Sequence, residues 1–481
     1  MNEQKLTTQI PDYVQKVARM LLKEGYKAYL VGGAIRDIAL GKTPYDWDLA
    51  TDAKPEEMLE LFPKAVSTGA RFGMVSALVP DVHGEIFEVE VTTFRSEEQY
   101  VDGRWPSKVE FIGDLDKDLG RRDFTINAMA IDLASAELSG DEGEREWVVY
   151  DPFDGMGDIS RKLVKAVGTP LERFKEDGLR AFKACRLASQ LQFELDPETF
   201  EAIKEALPVA KQVSMERVRD EFMKTLLGSP KPSVGIEMMR QTGLLEIFIP
   251  ELLEGVDVEQ KLFHHDDVYW HSLRTCDVAP DNIKLAALFH DIGKPRKDMK
   301  DGHFYGHDTE GAEMTKQIMK RMRFSNSDIE KTVTLVRWHM FYYPHVQEGM
   351  SEEQVEHVKV HEWSDSAVRR FMSKVGDENL DDLFALRIAD ASSNPMSAFN
   401  PDEIAELQLR ISEVREKDMA LKISDLEITG HDLMEQLGVE KGPQLGKILN
   451  HLLERVLDDP ILNTKEALID EARKYLDTQP A

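Results

Sequence analysis

Two carboxylates, Asp46 and Asp48, stand two apart in the string PYDWDLAT. In an extended strand such residues share a face, so the pair can offer oxygen ligands to one hard divalent cation. The apolar run at residues 28–31 reads as a buried strand, and Gly32 and Gly33 end it in a turn whose backbone N–H groups can face an anion. Carboxylates beside a phosphate cradle suit Mg²⁺ carrying a nucleoside triphosphate, the arrangement of two-metal phosphoryl transfer. Further on, Arg121, Arg122, Asp123 and Asn127 crowd into LGRRDFTINAMAID. Guanidinium forks bind triphosphate oxygens, and Asp or Asn can accept from ribose hydroxyls. Asp177 and Arg180 sit three apart, on one face of an expected helix. An Asp accepts from a base's amino group and an Arg donates to the ring acceptor beside it, so two side chains can mimic the edge of a pairing base. A plain i,i+3 ion pair fits the same spacing.

A second constellation lies downstream. His271 occurs in DVYWHSLRT, and His290 and Asp291 stand side by side in LAALFHDIGKP, at the end of an apolar helix. His307, His339 and Asp390 follow on separate helical stretches. A lone buried His is usually a core residue, but an ordered set of imidazoles and carboxylates is a ligand set for divalent metal.

The elements that must carry these residues can be read coarsely. Residues 11–24 form a lead-in helix, and residues 54–62 a helix with Glu56 and Glu57 in its first turn. Strands are expected at 74–79 and 86–95. In the latter Phe87, Val89 and Val91 face one side, and Glu90 faces the other as either a third carboxylate or a solvated strand residue. Residues 96–107 show no periodicity and read as a mobile loop between two strands, and 134–149 as an acidic insert, a hairpin or a loop. Residues 151–170 are a Gly-punctuated connector, a hinge or a plain turn. From 171 to 227 the pattern is helical. Residues 402–417 are helical and acidic, and Gly438 and Gly442-Pro443 mark a turn between two later helices.

The chain has 481 residues, 42% hydrophobic and 31% charged, enough for three or four soluble domains. No apolar run approaches the roughly 20 residues needed to span a bilayer, and the polar N-terminus lacks a signal-peptide core. A cytoplasmic location without membrane partners is expected. Two cysteines, Cys185 and Cys276, exclude a disulfide framework. A net charge of −29 argues against nucleic-acid binding over the whole surface. Residues 161–227 differ, with 13 Lys and Arg against 11 Asp and Glu, so an RNA site would lie on a restricted basic face.

The string GGAIRD…PYDWDLAT resembles the head signature of the nucleotidyltransferase superfamily, specifically the class II tRNA nucleotidyltransferases (CCA-adding enzymes) and their bacterial poly(A) polymerase relatives. RRDFTINA is similar to that family's ribose- and triphosphate-binding motif, EDGLR to its base-selecting motif, and SMERVRDEFMKTLL to its last neck motif. The resemblance implies a multidomain α/β head, a small mixed-sheet palm, over residues 1–150. A helical neck (151–245), a metal-binding domain (246–394) and a helical tail (395–481) would follow. It implies that Asp46 and Asp48, with Glu90, are catalytic carboxylates holding Mg²⁺. Gly32, Gly33, Arg36, Asp37, Arg121, Arg122, Asp123 and Asn127 would surround the nucleotide, and Asp177 and Arg180 would choose the base. Glu176, Lys183, Arg186, Glu216, Arg217 and Glu221 would brace the neck. Lys183 stands where the family usually has Arg, which leaves its phosphate or helix contact open. A flexible loop at 96–107 would favour addition of the terminal A.

HDIGKP, with its outlying ligands, resembles the HD phosphohydrolase superfamily. That resemblance implies one metal at His271, His290, Asp291 and Asp390 and a second at His307 and His339, either a transition ion (Ni, Mn, Co or Fe) or Mg²⁺. The implied activity is template-independent addition of CCA to the tRNA 3′ end from CTP and ATP, releasing pyrophosphate. Addition of A only or CC only, a poly(A) polymerase, and an HD metallophosphohydrolase with a vestigial head remain as alternatives. The tail is left between tRNA contact and packing alone.

Overall fold

An eight-stranded mixed sheet carries the carboxylates. In the computed structural model, which describes residues 4–67, 69–81, 83–101, 105–135, 144–260, 266–300, 303–344, 351, 356, 363–394, 401–416 and 422–478, two compact units are distinct, Met1–Pro250 and Glu251–Ala481.

In the first unit the sheet strands are β1 (Gln4–Thr8), β2 (Tyr29–Val31), β3 (Asp48–Thr51), β4 (Ala65–Val66), β5 (Met74–Pro80), β6 (Ile86–Thr93), β9 (Ala130–Asp132) and β10 (Arg145–Tyr150). Their order is β1-β10-β9-β2-β3-β6-β5-β4, antiparallel throughout except for parallel β3 and β6. Two further strands, β7 (Arg95–Val101) and β8 (Trp105–Phe111), form a separate antiparallel ladder. Helices α1 (Asp12–Lys23), α2 (Gly33–Ala39), α3 (Pro55–Leu61) and α4 (Leu115–Gly120) complete the head. Leu30, Leu49, Val91 and Ile131 are fully buried at the sheet's centre. The expected helices and strands before residue 95 are present, but β3 begins at Asp48, so Asp46 lies outside the strand expected to carry both carboxylates.

Residues 96–107 are not a loop between strands: apart from 102–104, outside the described residues, they belong to β7 and β8. A two-stranded ribbon need not carry an apolar face, so hydrophobic alternation is not required, and Pro106 is tolerated because β8 has one neighbour among the described residues. Residues 145–149, assigned to an acidic insert, are strand β10, paired on both sides. Residues 136–143 lie outside the described residues.

The helical remainder of this unit begins with α5 (Gly155–Arg161), followed by the short parallel pair β11 (Leu163–Val164) and β12 (Glu194–Leu195). Next come α6 (Pro170–Glu176), α7 (Leu179–Leu191), α8 (Pro197–Glu205), α9 (Leu207–Ala210) and α10 (Met215–Gly228). Asp177 lies between α6 and α7, extended at φ −145° and ψ 108°, so it does not share a helix face with Arg180. Its carboxylate accepts from the Leu179 N–H, and its carbonyl accepts from the Arg180 N–H. An Asp that caps the next helix breaks the preceding one, which periodicity alone did not reveal. Both cysteines are free and buried, and burial pushes each thiol up to about 12.

The second unit is helical. Val268–Val278, Lys284–Phe289, His307–Arg321, Asn326–Trp338 and Leu380–Ser393 carry the second constellation. The helix Asp402–Arg415, expected to belong to the tail, buries Ile404, Leu407, Ile411 and Val414 in the same core as Leu383 and Leu386. Gly430–Leu437, Pro443–Asp458 and Lys465–Asp477 enclose a separate core around Leu433, Leu452 and Leu468. Among the described residues no helix is long and apolar enough to cross a membrane.

Candidate active site and a second ligand cluster

The parallel β3/β6 register pairs Leu49 with Val91, so Asp48 and Glu90, each one residue earlier, are neighbours on one face. Asp46 lies just ahead of β3 and is exposed. The carboxylates feel one another. Burial raises Asp48, with Arg122 opposing and Asp46 adding to the rise. Burial, then Asp48 and Asp46, push Glu90 up to about 7. Three acids crowded in this way suit a site completed by a divalent cation.

Gly32 adopts φ 79° and ψ −141°, a left-handed backbone that favours glycine. A Cβ there would stand 3.2 Å from Arg122 Nη1 and 3.6 Å from Asp48 Oδ2, so the turn, the carboxylate and the guanidinium converge. Arg36 Nη1 donates to Asn127 Oδ1 at 2.7 Å, and its Nε and Nη2 donate to Asp37 Oδ1. Asn127 lies in the 3₁₀ turn Thr125–Asn127, and its Nδ2 is 3.4 Å from Asp123 Oδ1. Lys183 Nζ, where the resemblance expects Arg, is 3.8 Å from Asp123 Oδ2. Burial would raise Asp123, but Lys183 and then Arg180 outweigh it and hold it low.

Sequence reasoning missed Asp118. It is fully buried and accepts from Arg121 Nε and Nη2 at 3.0 and 2.8 Å, with Arg122 Nη2 at 3.4 Å. Burial opposes its charge, yet Arg121 and Arg122 hold its carboxyl low. The available signal was an acid three and four residues ahead of the arginine pair.

In the neck, Arg180 donates to Glu176, to Arg173 O at 3.2 Å and to Arg121 O at 3.1 Å. Arg217 Nη2 donates to Asp177 Oδ2 at 2.7 Å, and Arg186 Nε donates to Glu221 Oε2 at 2.6 Å. Glu216 is exposed in the first turn of α10.

All six residues of the second constellation meet. Nε2 of His271 lies 2.9 Å from Asp390 Oδ1, and Nε2 of His290 lies 3.3 Å from that of His271 and 3.2 Å from Asp291 Oδ2. On the other side of Asp291, Nε2 of His307 and of His339 stand 3.4 and 3.5 Å from Oδ1, and 3.3 Å from each other. The Nδ1 atoms of His290, His307 and His339 face the carbonyls of Ala287, Phe304 and Val336 at 2.8, 2.6 and 2.7 Å. A carbonyl only accepts, so each Nδ1 carries a proton, and each ring when neutral turns an Nε2 lone pair inward. Asp291 Oδ1 is buried with no hydrogen bond among the described residues. Lone pairs facing a carboxylate oxygen with no proton between them fit a cation. Burial opposes the charge of His290, but Asp291 and then Asp390 raise it to about 10, so a cation bound at Nε2 would displace the second proton of this ring. Burial drives His339 down to about 4.

Family models match along the chain: "Poly A polymerase head domain" over residues 28–165, "Probable RNA and SrmB- binding site of polymerase A" over 192–255, and "tRNA nucleotidyltransferase domain 2" over 309–472. By its first unit, therefore, the chain is similar to nucleotidyl-transferring head domains. The CCA-adding enzyme of Ligilactobacillus salivarius (strain UCC118) is 30% identical over 472 residues, 97% of this chain and 98% of that protein. That of Lactococcus lactis subsp. lactis (strain IL1403) is 30% identical over 460 residues, 96% of each. A crystal structure of the Bacillus stearothermophilus CCA-adding enzyme in complex with CTP shares the fold, with TM-score 0.64 and 24% identity, covering 97% of this chain and 98% of that one. The chain belongs to the family of CCA-adding enzymes.

Proposed function

We propose that this chain adds CCA to the 3′ end of tRNA from CTP and ATP without a nucleic-acid template. The observation that carries the reading is the convergence of Asp48 and Glu90, on adjacent parallel strands, with Gly32 and Arg122. Asp46 and Asp48, with Glu90, would hold Mg²⁺, which when bound neutralises the α-phosphate and favours ionisation of the attacking hydroxyl. Arg121 and Arg122 draw the triphosphate against the Gly32 turn, so that the 3′-hydroxyl meets the α-phosphate in line with departing pyrophosphate. Asp123 and Asn127, fixed by Lys183 and Arg36, accept from the ribose hydroxyls. Asp177 accepts the amino group of cytosine or adenine, and Arg180 donates to the ring nitrogen beside it. The head (1–150) and neck (151–245) would carry the transfer, and the metal-binding domain (246–394), whose core extends into the helix Asp402–Arg415, would carry the second site.

The test uses tRNA transcripts ending at the discriminator base, at C and at CC, with CTP and ATP separately and together. Growth of the shortest transcript to CCA is expected. Extension of the CC-ending transcript alone would mean an A-only enzyme, and arrest at CC a CC-only one. Unchanged incorporation by Asp46→Ala would overturn the assignment of the site.

The ligand cluster favours a second reading, an additional HD-type phosphohydrolase activity. What supports it is the fit of three inward Nε2 lone pairs and an unbonded Asp291 oxygen to divalent metal. Bound there, a transition ion would supply an activated water. Metal-dependent hydrolysis of phosphate esters should be lost in His290→Ala and retained in Asp46→Ala.

A further inference from the structure

The two oxygens of Asp291 have unequal surroundings. Oδ2, which faces His290 Nε2 at 3.2 Å and His271 Nε2 at 3.7 Å, accepts from Lys294 Nζ at 2.5 Å. Lys294 is buried and also donates to buried Gln260 Oε1 at 2.6 Å, so two partners hold the ammonium in place. Oδ1, which faces His307 and His339, makes no hydrogen bond among the described residues. The other carboxylate on the Oδ2 side is engaged as well. Asp390 Oδ1 lies 2.9 Å from His271 Nε2, and its Oδ2 accepts from Arg387 Nη1 at 3.3 Å. By ligand count, the half made by His271, His290, Asp291 and Asp390 should bind its ion more tightly, with four groups against three. Charge reverses that order. Each carboxylate of this half already faces a cation, whereas Asp291 Oδ1 presents its lone pairs to two imidazoles. An ion arriving at Oδ2 shares that oxygen with an ammonium, and like charges repel strongly where little water screens them.

Resting on the proposed second metal site, we propose that Lys294 sets the order in which the cluster fills. The half at His307, His339 and Asp291 Oδ1 takes its ion first and tightly. The half at His271, His290 and Asp390 takes a second ion weakly, against the ammonium on Asp291 Oδ2. Lys294 is thus a resident cation that neutralises a buried carboxylate, which would otherwise be costly to keep charged. Its flexible stem lets it leave Oδ2 while Gln260 keeps one of its bonds. Occupancy of the weaker half then follows the free metal concentration by mass action. Any chemistry that needs both ions is adjustable by metal supply.

The experiment is an equilibrium-dialysis titration with Mn²⁺ of the full-length protein carrying Asp46→Ala and Asp48→Ala, which silence the head. Lys294→Met, Lys294→Arg, His271→Ala and His307→Ala are added to that background one at a time. Two equivalents of unequal affinity are expected, the tighter lost in His307→Ala and the weaker in His271→Ala. Lys294→Met should tighten the weaker equivalent by about tenfold or more and change the tighter one far less, since the charge is removed from one oxygen only. Lys294→Arg, which keeps the charge, should leave the weaker equivalent weak. Loss of the tighter equivalent in His271→Ala, or an unchanged weaker one in Lys294→Met, would overturn the inference. Should Lys294→Met fail to fold, Lys294→Gln, which keeps a donor without charge, carries the same comparison. Binding of no Mn²⁺ by the cluster would bring down the reading of the second site itself. Two equivalents of equal affinity would remove this inference alone.

Discussion

Arg180 donates to the backbone carbonyl of Arg121 at 3.1 Å. That carbonyl lies at the C-terminal end of α4, where helix carbonyls lack intrahelical partners and a cation is favoured. Arg173 reinforces the joint by donating to Gly120 O at 3.3 Å. The residue proposed to read the base is thus tied to the segment proposed to grip the triphosphate, and a displacement of one is felt by the other.

Arg180→Lys should expose this coupling. Lysine keeps the charge but cannot serve Glu176, Arg173 O and Arg121 O with one planar fork. We expect kcat/KM to fall by about ten- to a hundredfold for CTP and ATP alike. Steady-state kinetics with each nucleotide would check it. A loss confined to one nucleotide would contradict the coupling.

Asp118→Asn removes the buried charge beneath two arginines. The expected destabilisation is about 2–3 kcal/mol, below the usual loss for a fully buried pair because both arginines keep some solvent contact. Urea denaturation would measure it. KM for both nucleotides should rise more than kcat falls, since the arginines lose their anchor.

Glu90 and Asp118 give opposite pH signatures. Glu90 is raised from 4.5 to about 7, so its contribution to stability is fully present below pH 4.5 and lost as the pH rises through 7. A divalent cation held by Glu90, as proposed, would take the place of that proton. Its thermal stabilisation should therefore be larger at pH 8 than at pH 5.5, and Glu90→Gln should flatten the difference. Asp118 and Asp123 are lowered, so their contribution holds above about pH 4 and disappears as acid titrates them. Melting curves across both windows would separate the two effects.

Asp291 offers one oxygen to each half of the second cluster. Metal analysis after equilibration with Mn²⁺ should find one equivalent lost in His271→Ala, one in His307→Ala and two in Asp291→Ala. Equal losses in all three variants would mean a single shared ion.

Much of this was legible because the chemistry is written in short strings. GGAIRD, DWD, RRDFTINA and HDIGKP carry their residues within a turn or two of chain, and the structure brings Gly32, Asp48 and Arg122 together, Arg36 to Asn127, and His290 to Asp291. What escaped depends on partners distant in sequence. Asp48 meets Glu90 only through a parallel register, which no local pattern specifies, so Glu90 stayed open between ligand and surface residue. The β7–β8 ladder was hidden because its residues show no hydrophobic alternation in the sequence, and a two-stranded ribbon needs none to pair. Asp177 was read as helical because an N-capping acid and a helix-face acid look alike at one spacing. The orientation of the imidazoles was invisible too, since it is set by three backbone carbonyls rather than by side chains.

The outermost pairing of the large sheet, in which Gln4 lies opposite Val149, has a consequence for biosynthesis. β1 leaves the ribosome long before β10, its only neighbour in the sheet among the described residues, has been translated. Throughout that interval its backbone donors and acceptors have no strand to bond, and closing so long a loop carries an entropic penalty and slows folding. The head can therefore finish its sheet only after residue 149 has emerged, which makes that nascent edge the natural point for chaperone protection.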